Sequence, residues 1–201
     1  MKADELELKA LVHDPNAVIE ALLKAGAVAG FSGLMEDRKF DRDGELTSRD
    51  EVLRVRLMRP SETGATPRAL VAWKGPTQRS AEGYKLRQEL EFEVTGAAPV
   101  IELFQALGFK VIVAIDRFVR FFNIAGAVAR LEWYPRMDTL LEIEGTGPAI
   151  EAAVEATRLP RMLFLPESLP EFVARYESRT GQRAILTVQE LRGAAPGWRL
   201  R

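Results

Sequence analysis

The chain has 201 residues, 47% of them hydrophobic, and its 28 basic and 29 acidic side chains leave a net charge of −1. That suits one domain with a real core and argues against a general nucleic-acid coat protein. With no cysteine and a single histidine, His13, the chain has no disulfide, thiol nucleophile or His-rich metal site, so any metal must be held mainly by carboxylates, as Mg²⁺, Mn²⁺ and Ca²⁺ are.

Residues 4–12 alternate as a strand. Asp14 and Pro15 then open a helix as N-cap and first helical residue, Val18, Ile19, Leu22 and Leu23 form its apolar stripe, and Gly26 ends it. Residues 27–40 read as extended, and Asp41 to Ser48 as a turn. Strands follow at 51–59 and 68–75, and a long alternating one runs from Tyr84 to Val94. Val100, Ile101, Phe104 and Leu107 have helical spacing, with Gly108 as the stop. Residues 109–122, 124–134 and 140–145 read as strands. Helices are expected from Gly147 to Thr157 and from Ser168 to Arg179, the latter packed on a barrel wall or at a dimer contact. The domain is expected to span 1–180, with 181–201 as a C-terminal extension. His13 reads as a turn residue, and Phe118, Phe121 and Phe122 as packing between barrel and helices. The acidic N-terminus (Asp4, Glu5, Glu7) does not read as a signal peptide, and no apolar run reaches membrane-spanning length. The expectation is a soluble, cytoplasmic protein without nucleic-acid or membrane partners, monomeric or homodimeric.

Charge segregates along these strands. A strand's side chains alternate between faces, so residues two apart share one. Glu5, Glu7 and Lys9 share a face, as do Arg54 and Arg56. Lys85, Arg87, Glu89, Glu91 and Glu93 share another, with Arg130, Glu132 and Tyr134 on a fourth and Glu142 and Glu144 on a fifth. A single such strand is ordinarily a solvated outer face of an antiparallel sheet. The same habit in strand after strand, with Glu and Arg in place of mixed polar residues, points elsewhere. If about eight such strands close into a barrel, the charged face becomes the lumen. A lumen rich in both signs is a hydrated channel for an anion and metal ions, since arginine grips phosphate oxygens and carboxylates hold the cations that bridge to them.

These residues resemble the CYTH family, or triphosphate tunnel metalloenzymes, which includes class IV adenylyl cyclases, thiamine triphosphatases and inorganic triphosphatases. Glu5-Leu6-Glu7-Leu8-Lys9 matches its ExExK signature, and Asp37-Arg38-Lys39-Phe40-Asp41 looks like its D-x-Y-F-D stretch. Leu53 to Arg56 matches L-R-x-R, Trp73 to Pro76 resembles Y-K-G-P, Arg87 to Glu91 matches R-x-E-x-E, and Glu142 to Glu144 matches E-I-E. Leu107-Gly108-Phe109 precedes a strand with Arg117 and Arg120. The blocks run in order from residue 5 to residue 144.

The resemblance implies an α+β fold, an eight-stranded antiparallel β-barrel open at both ends with helices outside. It implies Mg²⁺ or Mn²⁺ on Glu5, Glu7, Glu132, Glu142 and Glu144, and a triphosphate on Lys9, Arg54, Arg56, Lys74, Arg87, Arg117 and Arg120. Glu5, Glu7 and Lys9 are the catalytic candidates. Lys85, Glu89 and Glu91 are supporting, the two glutamates either binding a cation or orienting arginines. Asp116, Phe118 and Asp138 depart from the family pattern, and Arg117 and Arg120 differ in parity, so a bulge is needed or only one faces inward. Three readings follow: metal-dependent hydrolysis of a triphosphate, cyclisation of ATP to cyclic AMP and pyrophosphate, and non-catalytic polyphosphate binding. Hydrolysis is placed first.

Overall fold

The computed structural model describes the backbone of residues 2–200 and the side chains of residues 6–198. Nine strands form one sheet: β1 (Lys2–Val12), β2 (Val28–Asp41), β3 (Val52–Pro60), β4 (Arg68–Lys74), β5 (Gln78–Arg79), β6 (Lys85–Val94), β7 (Lys110–Ile124), β8 (Ala127–Trp133) and β9 (Thr139–Gly145). The order β1-β9-β8-β7-β2-β3-β4-β6 closes on itself through an antiparallel β1–β6 pairing, which makes an eight-stranded antiparallel barrel. The two-residue β5 is a flap on β6. Short connections join antiparallel neighbours in several places, as across Ala125-Gly126 between β7 and β8. Two of the strands are long enough to bend. β2 shifts register between Ala29 and Ser32, and at the adjacent Gly33 a Cβ would meet the Arg59 carbonyl oxygen at 2.1 Å. Only glycine allows that approach.

Four α-helices lie outside the strands: α1 (Pro15–Lys24), α2 (Ala97–Ala106), α3 (Gly147–Thr157) and α4 (Leu169–Thr180). Asp14 caps α1 by accepting from the Ala17 N–H at 3.0 Å, with Pro15 in the first turn. The buried stripes of α1 (Val18, Ile19, Leu22) and α3 (Ile150, Ala153, Val154) pack on Leu8, Ala10, Leu131, Leu141 and Ile143, which alternate with the charged residues of β1, β8 and β9. Val100, Ile101 and Phe104 of α2 cover Phe40, Val55 and Val71 in the same way. The main apolar core therefore sits between barrel and helices, and the opposite strand faces are left for the bore. No helix among the described residues is long and apolar enough to cross a membrane.

Three features go beyond what strand alternation implies, and one corrects the placing of Phe121 between barrel and helix. α4 packs at the end of the barrel. Its Phe172 and Leu169 pack with Leu11, Ile115, Tyr134 and Leu140, which are inward-facing residues at the rim, and residues 166–171 contribute to the lining of the bore. The bore is also not polar along its length. Inward-facing Met35, Met58 and Val119 form an apolar layer with Phe31, Leu70 and Phe121, so Phe121 faces the lumen rather than a helix. Finally, the segment after 181 is tied to the barrel. β8 pairs with β7 only from Phe118 onward, and Leu186 takes the free edge before it, its carbonyl accepting from the Asp116 N–H at 2.7 Å. Leu165 does the same for β1 beyond its pairing with β6, exchanging two backbone hydrogen bonds with Lys9. Both contacts pair an otherwise open strand edge.

Leu22 and Ile150 are fully buried between helix and barrel. Truncating either to alanine is expected to cost about 2–5 kcal/mol, read as a lower urea midpoint, while the barrel's far-ultraviolet signal is retained.

Candidate active site

The alternation carries nearly all the predicted residues into one cavity of about 910 Å³. β1 presents Glu7 and Lys9; β3, Arg54 and Arg56; β4, Lys74; β6, Lys85, Arg87, Glu89 and Glu91. β7 presents Arg117, β8 Arg130 and Glu132, and β9 Glu142 and Glu144. The Glu5 side chain lies outside the described residues. Arg120 is not brought in. β7 alternates without a break from Arg117 to Phe121, so Arg120 takes the other face, with its guanidinium 5.6 Å from the Phe122 ring.

The bore has two chemically different walls. Around the barrel β1 and β2 are four strands apart in either direction, so they stand opposite each other. On the β1–β9 wall, Glu7, Glu142 and Glu144 bring carboxylate oxygens within 4.8 Å of one another. This is a donor set that hard divalent cations accept. Lys9 bridges Glu7 (3.0 Å) and Glu142, Lys85 pairs with Glu7, and Arg130 pairs with Glu142 and with Glu144 (3.2 Å). Burial alone would push the Glu7 carboxyl up, but Lys9, Lys85 and Lys74 outweigh it and the neighbouring Glu142, and hold it down to about 2. Glu142 is likewise held well below the usual range by Arg130 and Lys9 against burial. Both are therefore ionised, as metal ligands must be.

On the β2–β3–β7 wall the hub is Asp37, which is 2% exposed. Arg56 grips it with two hydrogen bonds of 2.7 and 3.0 Å, Arg117 adds one of 3.0 Å, and Arg54 stands at 3.9 Å. Burial opposes ionisation of Asp37, but the three guanidiniums hold it well below its ordinary value. Arg54 also reaches Glu91 (3.0 Å) and Glu89 (3.3 Å), and Lys74 reaches Glu89 at 3.0 Å, so the two supporting glutamates orient cations.

Two predicted residues have other partners. Glu132 is 1% exposed and accepts from Arg117 (2.9 Å), Arg130 (2.8 Å) and the Tyr134 hydroxyl (2.5 Å), so it joins the walls and lies outside the three-carboxylate group. Arg87 donates to the Gly75 carbonyl at 2.6 Å and to Asp50, fastening the loops at the mouth. The departures from the family pattern lie on the outside. Asp116 accepts from Arg38 and the Val188 N–H, Phe118 packs on Trp133, and Asp138 pairs with Arg179.

Sequence reasoning missed Asp37, Lys39 and Arg130 as functional residues. Arg130 had been placed on a charged face with Glu132. In β2 the charges occupy both faces, with Glu36 and Arg38 outside and Asp37 and Lys39 inside, so parity alone does not single them out.

Fold and site together define a closed barrel whose bore is lined by ionised groups of both signs, and the chain fits the CYTH family in fold, motif order and relatives. No family model matches it. A protein of Methanocaldococcus jannaschii named "putative adenylate cyclase" is 28% identical over 141 residues, 70% of this chain and 75% of its own length. A "putative adenylate cyclase" of Vibrio parahaemolyticus shares the fold with a TM-score of 0.69 at 16% identity, over 85% of this chain and 97% of that one. HpAC1 of Hippeastrum, a "putative adenylyl cyclase" with a dominant triphosphatase activity, shares it at 0.59 and 17%, over 89% and 96%.

Replacing Asp37 with alanine leaves three guanidiniums without their shared anion. The expected cost is about 3–5 kcal/mol, measured by urea denaturation at neutral pH. Because its folded pKa lies below the ordinary 3.8, Asp37 contributes stability above that pH and loses the contribution as pH falls through its depressed value. The difference between wild type and variant is therefore expected to shrink only in strong acid.

Proposed function

We propose that this protein is a divalent-metal-dependent phosphoryl-transfer enzyme that hydrolyses a triphosphate inside the barrel. One observation carries the reading: a three-carboxylate cluster faces an arginine-rich wall across the same bore. A triphosphate carries several negative charges in a row and needs cations along its whole length. Glu7, Glu142 and Glu144 would hold Mg²⁺ or Mn²⁺, which when bound neutralises phosphate charge and polarises the phosphoryl group. Arg54, Arg56, Arg117 and Lys74 supply the remaining positive charge, the arginines in a fork that matches phosphate oxygens. Lys9 and Lys85 sit between the two functions. Their ammoniums now rest on Glu7 and turn to the phosphates when a cation takes the carboxylates. In the chemical step water attacks the terminal phosphorus and the bond to the bridging oxygen breaks. The charge that moves onto the leaving phosphate is met by guanidiniums already in place.

Cyclisation of ATP is the second reading. It is favoured by the names of the Methanocaldococcus and Vibrio proteins and by the aromatic pair Phe31–Phe121, 5.8 Å between ring centroids, beside the charged section. Both reactions need the same cradle and differ in the nucleophile.

The test is product analysis with tripolyphosphate, ATP and thiamine triphosphate in Mg²⁺ and in Mn²⁺. Inorganic phosphate is the expected product, cyclic AMP with pyrophosphate would establish the second reading, and metal-dependent binding without turnover would leave a binding module. Glu7→Gln and Glu144→Gln are each expected to lower turnover by about 100-fold or more. The variant at the partly exposed Glu144 is expected to melt near wild type, and the Glu7 variant, which takes the counter-ion from half-buried Lys85, to melt lower with its far-ultraviolet signal retained. Chelation of the metal is expected to abolish turnover in the wild type.

A further inference from the structure

Almost every cation in the bore has a carboxylate partner, and Lys39 does not. It faces inward from β2, half-buried, and among the described residues no hydrogen bond or ion pair engages its ammonium. Its cross-strand neighbours are Arg54 on β3 and Val113 on β7. The charged groups facing it are Asp37 on its own strand, Arg54 on β3, Arg117 on β7 and Lys85 on β6, which is one anion against three cations. Two of those cations also hold buried donors without a partner, Arg54 Nε and Arg117 Nη1. A buried donor left unpaired is costly, and two of them beside a half-buried ammonium without a counter-ion suit an anion. This site lies on the wall opposite the three-carboxylate cluster, at the position where the family's D-x-Y-F-D stretch carries tyrosine.

We propose that Lys39 is a substrate-binding residue, and that its ammonium forms, with the open donors of Arg54 and Arg117, a subsite for a terminal phosphate of the triphosphate. The inference rests on the reading given under Proposed function and adds to it a residue particular to this chain. Burial and the neighbouring Arg54, Arg117 and Lys85 push the Lys39 ammonium down to about 8 against the pull of Asp37. Relative to an ordinary value of 10.5, the folded state binds this proton less well than the unfolded chain. Lys39 therefore lowers stability most below pH 8, and the penalty fades as pH rises towards 10.5. A cation that destabilises the empty barrel is what a site kept for an anion requires.

The experiment is titration calorimetry of inorganic tripolyphosphate with Mg²⁺ into wild type, Lys39→Met and Lys39→Arg, with melting curves of each empty protein. Lys39→Met is expected to weaken binding by roughly 10-fold or more, and Lys39→Arg, which keeps the charge, to recover most of it. Empty Lys39→Met is expected to melt above wild type at pH 7, with the gap closing towards pH 10. Wild-type affinity in Lys39→Met overturns the assignment and leaves the triphosphate reading standing. Equal loss of affinity in both variants with lowered melting points shows a structural role and overturns it too. A wild type that does not bind tripolyphosphate overturns both.

Discussion

The constraint on which this structure depends is charge compensation inside a barrel. An unpaired buried ion costs several kcal/mol, so a charged lumen survives only if each group finds a counter-ion. Here compensation runs almost continuously around the wall. Lys85 and Lys9 rest on Glu7, Lys9 and Arg130 on Glu142, Arg130 and Arg117 on Glu132, and Arg117, Arg56 and Arg54 on Asp37. Glu132 joins the two walls through Arg117 and Arg130, Asp37 anchors its own wall, and each serves more than one guanidinium. The apolar side chains that exclude bulk water are on the other faces of the same strands, against α1, α2 and α3. One alternation thus builds both the core and the bore, and neither can change register without exchanging with the other.

The same division explains why departures from the family pattern in β7 and after β8 leave the site whole. Asp116, Phe118 and Asp138 all lie outside the lumen: Asp116 and Asp138 fasten the barrel to the Val188 backbone and to Arg179 on α4, and Phe118 packs on its cross-strand partner Trp133. Acidic residues in that part of the sequence do not add negative charge to the bore. β7 does contribute little positive charge of its own on this stretch, with Ile115 and Val113 inward at the positions that pair with Asp37 and Lys39. The cation on this stretch of wall comes from β2.

Most of the barrel and the charged wall was legible in the sequence because both have a period of two, which a strand keeps over its whole length. Glu7 with Lys9, Arg54 with Arg56, and Glu142 with Glu144 stand as their spacing implies. Legibility failed where a residue's position depends on something other than period. Arg120 shares a strand with Arg117 but not its parity, and β7 has no bulge there to reconcile them. Arg87 has the right parity, yet its donors are drawn to Gly75 and Asp50 by loops whose course no periodicity encodes. Asp37 and Lys39 sit in a strand charged on both faces, so alternation has no apolar reference against which to orient them. The placement of α4 at the rim was hidden for another reason. Its amphipathic stripe says that one face is buried, but not which surface buries it.

A network that is complete without its ligands carries a further consequence. The ammoniums of Lys9 and Lys85 and the guanidinium of Arg130 occupy the carboxylates that suit a divalent cation. A cation taken up by Glu7, Glu142 and Glu144, as proposed, would displace these groups and leave positive charge without a partner. A bound triphosphate would supply that partner and in turn draw Lys9, Lys85 and Arg130 away from the carboxylates, opening them to the cation. On the proposed reading each ligand would then lower the cost of admitting the other, and by linkage the gain would be equal in both directions. Lys39 stands outside this exchange, since among the described residues no carboxylate forms an ion pair with it. It gives the anion one contact that no internal ion pair must first be broken to make. On the proposed reading the paired wall would couple cation and triphosphate to each other, while the corner on β2 around Lys39 would favour the anion whether or not the cation is bound.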